Sequence, residues 1–403
     1  MDDLDGLFSS VRRGMLFTAV LGAGAGLTAC GGGGGGEMVA APAPGPAQAP
    51  PVPPAAAAAA PMPVLTPGTN PTPTPMAGTL SLVAGTTDPG ASSDRAIDGT
   101  GPGVRFMLAG GISADGRGNV FVADTGANTI RQISASGEVS TLAGTPIATA
   151  STNQFFTTFS RPAGMTIDGS GNLYVTDGFT TSSFIVNRYW TSVRKVTPQG
   201  EATTLPLPTF VPGIPQPILG PGIAVDGTGS VYLAFAGTIR KFTPAGVMTN
   251  VTAPEVTRYT SSLAVDKAGN VYFGYQNTVR KIAPGQAEVV LAGSGAAGYV
   301  DGNGVQAAFD FPEYKLVGVA DAYLTGLAVD SVGNLYVADS NNFAVRRISP
   351  DGRVTTIAGR PGVQQIQLGE LPAGLAAPRG LALDGDTTLY VSTATAVLRI
   401  DLR

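Results

Sequence analysis

ISADGRGNVFVAD, from Ile112 to Asp124, recurs five more times: MTIDGSGNLYVTD from Met165, IAVDGTGSVYLAF from Ile223, LAVDKAGNVYFGY from Leu263, LAVDSVGNLYVAD from Leu327 and LALDGDTTLYVST from Leu381. Each copy opens on alternating residues that end at an aspartate, namely Asp115, Asp168, Asp226, Asp266, Asp330 and Asp384. Gly-Asn or a relative follows, then a second apolar run. An Asp that bonds the backbone of its own turn, with a Gly that accepts positive φ, joins two strands into a hairpin. A third run carries one basic residue at a fixed place: Arg131, Arg194, Arg240, Arg280, Arg346 and Arg399. A further turn, read as SASGE, TPQGE, TPAGV or SPDGR, leads to a fourth run such as Val139 to Ala143 or Val354 to Ala358.

Four antiparallel strands repeated six times predict an all-β, six-bladed β-propeller. The last copy stops after its third strand, near Ile400, with no residues left for a fourth. The missing strand stands at the other end, where Leu80 to Gly85 (LSLVAG) matches TLAG from Thr141 and TIAG from Thr356. This N-terminal strand is predicted to pair with the strand containing Leu398, completing the last blade and covering its edge. The propeller is thereby assigned to residues 79–403.

Through GNVFVAD and GNLYVAD, the following Arg, the VTTIAG ending and the linker DGNGVQAAFDFP from Asp301 to Pro312, the chain resembles the NHL-repeat family over about 325 residues. The third and fourth repeats depart from it, with Phe235 and Tyr275 where Asp124, Asp177 and Asp339 stand elsewhere. The resemblance implies a propeller that binds partners. Residues shared by most blades are expected to serve turn geometry and blade-to-blade bonding, leaving function to what differs between blades.

Composition narrows the chemistry. The chain has 403 residues, a net charge of −4, no His and one Cys, Cys30. Without a basic cluster there is no footprint for a phosphate backbone, so nucleic acid is not an expected partner. Ser/His/Asp and Cys/His nucleophile systems, internal disulfides and thiolate metal clusters are excluded. Among six-bladed relatives, zinc-dependent amidating lyases need histidines that are lacking here, whereas a calcium-dependent sugar-lactonase-like hydrolase needs only oxygen ligands. It remains the alternative to a binding module, with calcium as its cofactor and its site at the central channel; the binding module needs no cofactor. The starts of the six first strands carry no carboxylate, which counts against the enzyme, with Glu255, Asp310, Glu313 and Asp321 nearby in loops.

The first residues describe export. Arg12 and Arg13 precede an apolar run from Met15 to Leu27, too short to span a bilayer. Leu27, Thr28, Ala29 and Cys30 resemble a bacterial lipobox, with the Cys30 thiol as acyl acceptor. Residues 1–29 are expected to be a lipoprotein signal peptide, and residues 30–78 a Gly-rich and then Ala/Pro-rich tether. Gly31 after the cysteine favours the outer membrane, so the expected location is the cell envelope with a lipid anchor as the only membrane contact.

The a-to-b and c-to-d turns are short, and the long segments are the crossovers Thr145 to Arg161, Pro206 to Gly222 and Ser294 to Thr325 and the loop Gly178 to Ser192. All belong to one face, where binding on a rigid scaffold is expected. They hold the candidate ligand-binding residues Phe155, Phe156, Arg161, Phe184, Arg188, Tyr189, Trp190, Tyr314 and Tyr323, with Tyr259 between the third and fourth blades. Aromatic and Arg side chains are common interface anchors. The expected ligand is a protein, peptide or glycan. Phe309 and Phe311 are expected to pin their crossover to the scaffold.

Overall fold

The computed structural model describes residues 78–88, 95–145, 159–181, 188–206, 219–235, 238–252, 260, 262–312 and 326–402. The expected signal peptide and all of the expected tether but residue 78 lie outside them. Described strands run in chain order. β1 (Thr79–Gly85) and β2 (Gly99–Thr100) precede the first blade, formed by β3 (Ala109–Ala114), β4 (Val120–Asp124), β5 (Thr129–Ile133) and β6 (Glu138–Ala143). The second is β7 (Met165–Ile167), β8 (Leu173–Thr181), β9 (Arg188–Val196) and β10 (Ala202–Thr204). The third is β11 (Leu219–Val225), β12 (Val231–Phe235), β13 (Thr238–Phe242) and β14 (Met248–Asn250). The fourth is β15 (Leu263–Val265), β16 (Val271–Tyr275), β17 (Thr278–Ile282) and β18 (Val289–Ala292). After β19 (Gly302–Asn303), the fifth is β20 (Leu327–Val329), β21 (Leu335–Asp339), β22 (Ala344–Ile348) and β23 (Arg353–Ala358). After β24 (Gly369–Glu370), the sixth is β25 (Leu381–Asp384), β26 (Thr388–Ser392) and β27 (Ala396–Asp401).

The sixth blade takes its outer strand from the N-terminal side, as predicted. β1 runs antiparallel to β27, with Leu80 opposite Ile400 and Leu82 opposite Leu398, and a bulge between Leu82 and Ala84. Leu80 and Ala84 are buried at this seam.

Each second strand lies between two neighbouring blades, so both of its faces are covered. That is why VFVAD, VYFGY, LYVAD and TLYVS are buried throughout while β6 shows an exposed edge. Side chains of adjacent blades interlock. Val104, Phe106, Ile112 and Val122 pack with Ala382, Tyr390 and Val397 across the join of the first and sixth blades.

Among the described residues, three blades carry a fifth short strand. β2 pairs with β6, β19 with β23 and β24 with β1. Two of these lie in crossovers that were not singled out as long, those before the first and the sixth blade. Part of the Ser294 to Thr325 crossover likewise lies along an outer strand rather than standing free. The segment from Gly178 to Ser192, read as a loop, is instead largely hairpin: β8 and β9 extend it in register out to Thr181 opposite Arg188.

Candidate functional site

Five of the six turn aspartates bond their own turn as expected, whereas Asp384 ends β25 opposite Thr388 and makes no such bond. Asp168 accepts the backbone N–H groups of Ser170 and Asn172, both at 2.9 Å, the Asn172 amide at 2.9 Å and the Tyr174 hydroxyl at 3.1 Å. Asp226, Asp266 and Asp330 repeat the pattern with Tyr232, Tyr272 and Tyr336. Partial burial alone would raise the Asp168 carboxyl, but these hydrogen bonds outweigh it and hold it below the usual carboxylate range. Burial and the adjacent carboxylate push the Tyr174 hydroxyl up to about 12. Lys195, Lys241 and Lys281 lie over the tyrosine rings at 5.8, 5.0 and 5.6 Å. This cluster is repeated scaffold.

The second aspartate grips the crossover entering its own blade. Asp124 accepts from the N–H groups of Met107 and Leu108 at 3.0 and 2.9 Å. It also pairs with the buried Arg131, which reaches Asp98 and the Ile97 carbonyl. In the fifth blade Asp339 accepts the Asp310 N–H at 2.8 Å and pairs with Arg346 at 2.8 Å, while Arg346 reaches Asp301 at 2.7 Å. The guanidinium of Arg346 also lies over the rings of Phe309 and Tyr299. Phe309 is fully buried and stacks on Phe311 at 5.2 Å, the pinning role expected of this pair.

Blade-to-blade bonding therefore falls to other residues than expected. Asn128 of the first blade accepts the Arg161 N–H at 2.7 Å, and Asn277 of the fourth accepts the Phe311 N–H at 2.7 Å. Nearer the axis, Thr125 donates to the Pro162 carbonyl, Ser340 to the Pro378 carbonyl and Ser392 to the Gly110 carbonyl. Where the second aspartate is missing, the arginine changes partner. Arg280 pairs with Glu288 at 2.6 Å and stacks on Tyr275, and Arg399 faces outward to Asp401.

Burial pushes the Asp339 carboxyl up to about 6 despite the Arg346 charge and the hydrogen bonds that oppose it. The folded state thus holds this proton more tightly than an unfolded chain whose Asp titrates near 3.9. Its contribution disfavours folding above about pH 6, and this penalty is relieved as pH falls from 6 towards 4. A carboxyl-carbon NMR titration is expected to show Asp339 with a midpoint near pH 6 and Asp168 below the usual carboxylate range; equal midpoints would contradict this assignment.

The central channel offers little to a substrate. Its narrow part is a cavity of about 50 Å³ lined by the starts of the first strands, where Gly111, Gly164, Gly222, Gly326 and Gly380 ring the axis with Ser262. These glycines reflect close approach: a Cβ on Gly164 would collide with the Pro221 carbonyl of the next blade. This cavity, and the wider one of about 220 Å³ lined by Ser113, Thr166 and the other first-strand residues, are both below the 300 to 1,000 Å³ typical of small-molecule sites. Among the described residues no three His, Cys, Asp or Glu side chains gather where they could hold a metal ion. Asp310 accepts from Asn341 at 3.0 Å and belongs to the fifth crossover. Glu255, Glu313 and Asp321, the other carboxylates near the starts of the first strands, lie outside the described residues.

Of the ten predicted binding residues, Arg161, Arg188, Tyr189 and Trp190 lie among the described residues; Phe155, Phe156, Phe184, Tyr259, Tyr314 and Tyr323 lie outside them, as does Cys30. Arg161 has left-handed backbone (φ 59°) and occupies the place of Phe311 in the fifth blade, held by the equivalent asparagine. Arg188, Tyr189 and Trp190 open β9, opposite Thr181, Thr180 and Phe179 of β8. Trp190 also sits opposite Leu219 of β11. This bridge joins the second and third blades into one eight-stranded sheet, so the hairpin is braced at its outer end.

No protein-family model matches the chain, and no curated protein matches it in sequence. Solved structures share the fold. A Bacteroides thetaiotaomicron protein of unknown function is 20% identical with a TM-score of 0.60, over 81% of this chain and 76% of that one. An auxiliary nutrient binding protein from Bacteroides ovatus is 16% identical with a TM-score of 0.58, over 81% and 76%. A second auxiliary nutrient binding protein, from Bacteroides thetaiotaomicron, gives 16% and 0.58 over 80% and 76%. The six-bladed architecture is common to them and this chain.

Proposed function

We propose that the chain is a binding propeller of the bacterial cell envelope, anchored by a lipid on Cys30 and spaced from the membrane by its Ala/Pro-rich segment. It takes a protein, peptide or glycan onto its crossover face. The observation that carries this reading is the braced hairpin of the second blade. Two nine-residue strands exceed the five-residue norm of the second and third strands elsewhere, and the outgoing one includes Arg188, Tyr189 and Trp190 in its sequence. Arg, Tyr and Trp are the residue types that dominate interface energetics. The auxiliary nutrient binding proteins of the same fold support a binding role, as does the resemblance to NHL repeats.

Pull-down from envelope extract, followed by titration calorimetry with the recovered partner, tests the site. Trp190→Ala is expected to weaken binding on the order of 30-fold, the loss of about 2 kcal/mol typical of a buried aromatic anchor. Equal affinity of the variant would remove the hairpin from the site.

A further inference from the structure

The face opposite the crossovers holds a cavity that the crossover reading does not use. It has a volume of about 740 Å³ and lies between the third and fourth blades, on the side of the short turns. In the second and fifth blades the c-to-d turn closes on the fourth strand of the blade before it, Gly200 against the Leu142 carbonyl and Gly352 against the Leu291 carbonyl, whereas Gly137 and Gly246, at the same turn of the first and third blades, meet nothing within 4 Å. Gly285, at the equivalent turn of the fourth blade, has nothing within 4 Å of its Cβ direction, and β14 facing it is only three residues long. The wedge between the two blades is left open here, at a size suited to a ligand of one or two sugar rings.

The lining defines the chemistry. Its charged side chains are Asp226, Asp266, Lys241 and Lys267, two of each sign. Asp226 is fully engaged, accepting from Thr228, Ser230 and Tyr232 and from Lys241 at 2.9 Å. Asp266 is likewise engaged by Ala268, Asn270 and Tyr272. Neither carboxylate is left for a cation, and the four charges sum to zero. The side-chain amides of Asn250 and Gln286 also line the cavity; among the described residues neither is engaged in a hydrogen bond, and each both donates and accepts. Val251, Val271, Ile282 and Pro284 supply aliphatic surface beside them. Groups that donate and accept, set against aliphatic surface and without net charge, suit a neutral polyhydroxylated molecule, which carries hydroxyls on its rim and C–H groups on its faces.

We propose that this interblade cleft is a second binding site, independent of the crossover face, for a neutral saccharide. Titration calorimetry with glucose, galactose, maltose and cellobiose at millimolar concentration, on the whole chain, tests it. At least one sugar is expected to bind, and Asn250→Trp, at an exposed position of β14, is expected to weaken it at least tenfold with an unchanged melting temperature. Gln286→Trp, from the exposed turn across the cleft, should act alike, so that misfolding of one variant leaves the test intact. Trp190→Ala should leave sugar affinity unchanged. Absence of binding by all four sugars, binding unaffected by both cleft variants, or loss through Trp190→Ala alone would overturn the proposal. The last of these outcomes would leave the crossover face as the binding site.

Discussion

A chain shortened to begin at Thr86 is expected to lose on the order of 5 kcal/mol of stability or more, with a melting temperature lower by roughly 10 to 20 °C. The loss has three sources. Leu80 is 1% exposed and packs into the cluster that contains Leu389, Val391, Leu398 and Ile400; removing it forfeits about 2 to 3 kcal/mol of burial. Ala84 adds a smaller share on the first-blade side, beside Phe106 and Val397. The ladder from Leu80 opposite Ile400 to Gly85 opposite Ala396 is lost as well, exposing β27 as an open edge and leaving β24 without a partner. Leu80→Ala gives a graded version, with an expected cost of about 2 to 5 kcal/mol. Thermal denaturation of both forms is the check, and an unchanged midpoint in the shortened chain would mean that the ring closes without β1.

The second large effect is expected at Arg346. Its side chain is fully buried between Asp339, also fully buried, and Asp301. Arg346→Ala strands the Asp339 carboxylate in the interior and removes the cation from between Phe309 and Tyr299, which should cost about 3 to 5 kcal/mol. Arg280→Ala, in the equivalent place of the fourth blade, should cost no more than about 1 kcal/mol. Its pair with Glu288 is more than one-fifth exposed on each side and so is screened by solvent. Urea denaturation of the two variants separates them. Similar losses would show that the buried Asp–Arg pair is not what fastens the fifth crossover.

These contrasts explain how far the sequence could be read. The hairpin signals were strong because Asp168-Gly-Ser-Gly-Asn172 and its relatives are local: the aspartate bonds groups two to six residues away. Closure by β1 was legible because LVAG repeats the ending of the other fourth strands. The two-residue strands β2, β19 and β24 were not legible, since each contains a glycine and takes its partner from elsewhere in the chain rather than from apolar alternation. The paired strands β8 and β9 carry no tight-turn signal between Thr181 and Arg188, so their sequence reads as a loop. The clamp had a faint trace in the spacing of seven from Asp124 to Arg131 and from Asp339 to Arg346, but its crossover partners could be seen only in three dimensions. The cleft had no trace at all, because its walls come from turns and strands of two blades, between Asp226 and Gln286.

Everything placed on either face of the ring depends on the pairing of β1 with β27. Amide hydrogen exchange followed by mass spectrometry reads that pairing directly, by comparing the peptide covering 79–85 with the one covering 396–401. The predicted result is strong and matching protection of the two, lost together on heating. Exchange of 79–85 at the rate of an unstructured chain, with 396–401 still protected, would contradict the closed ring.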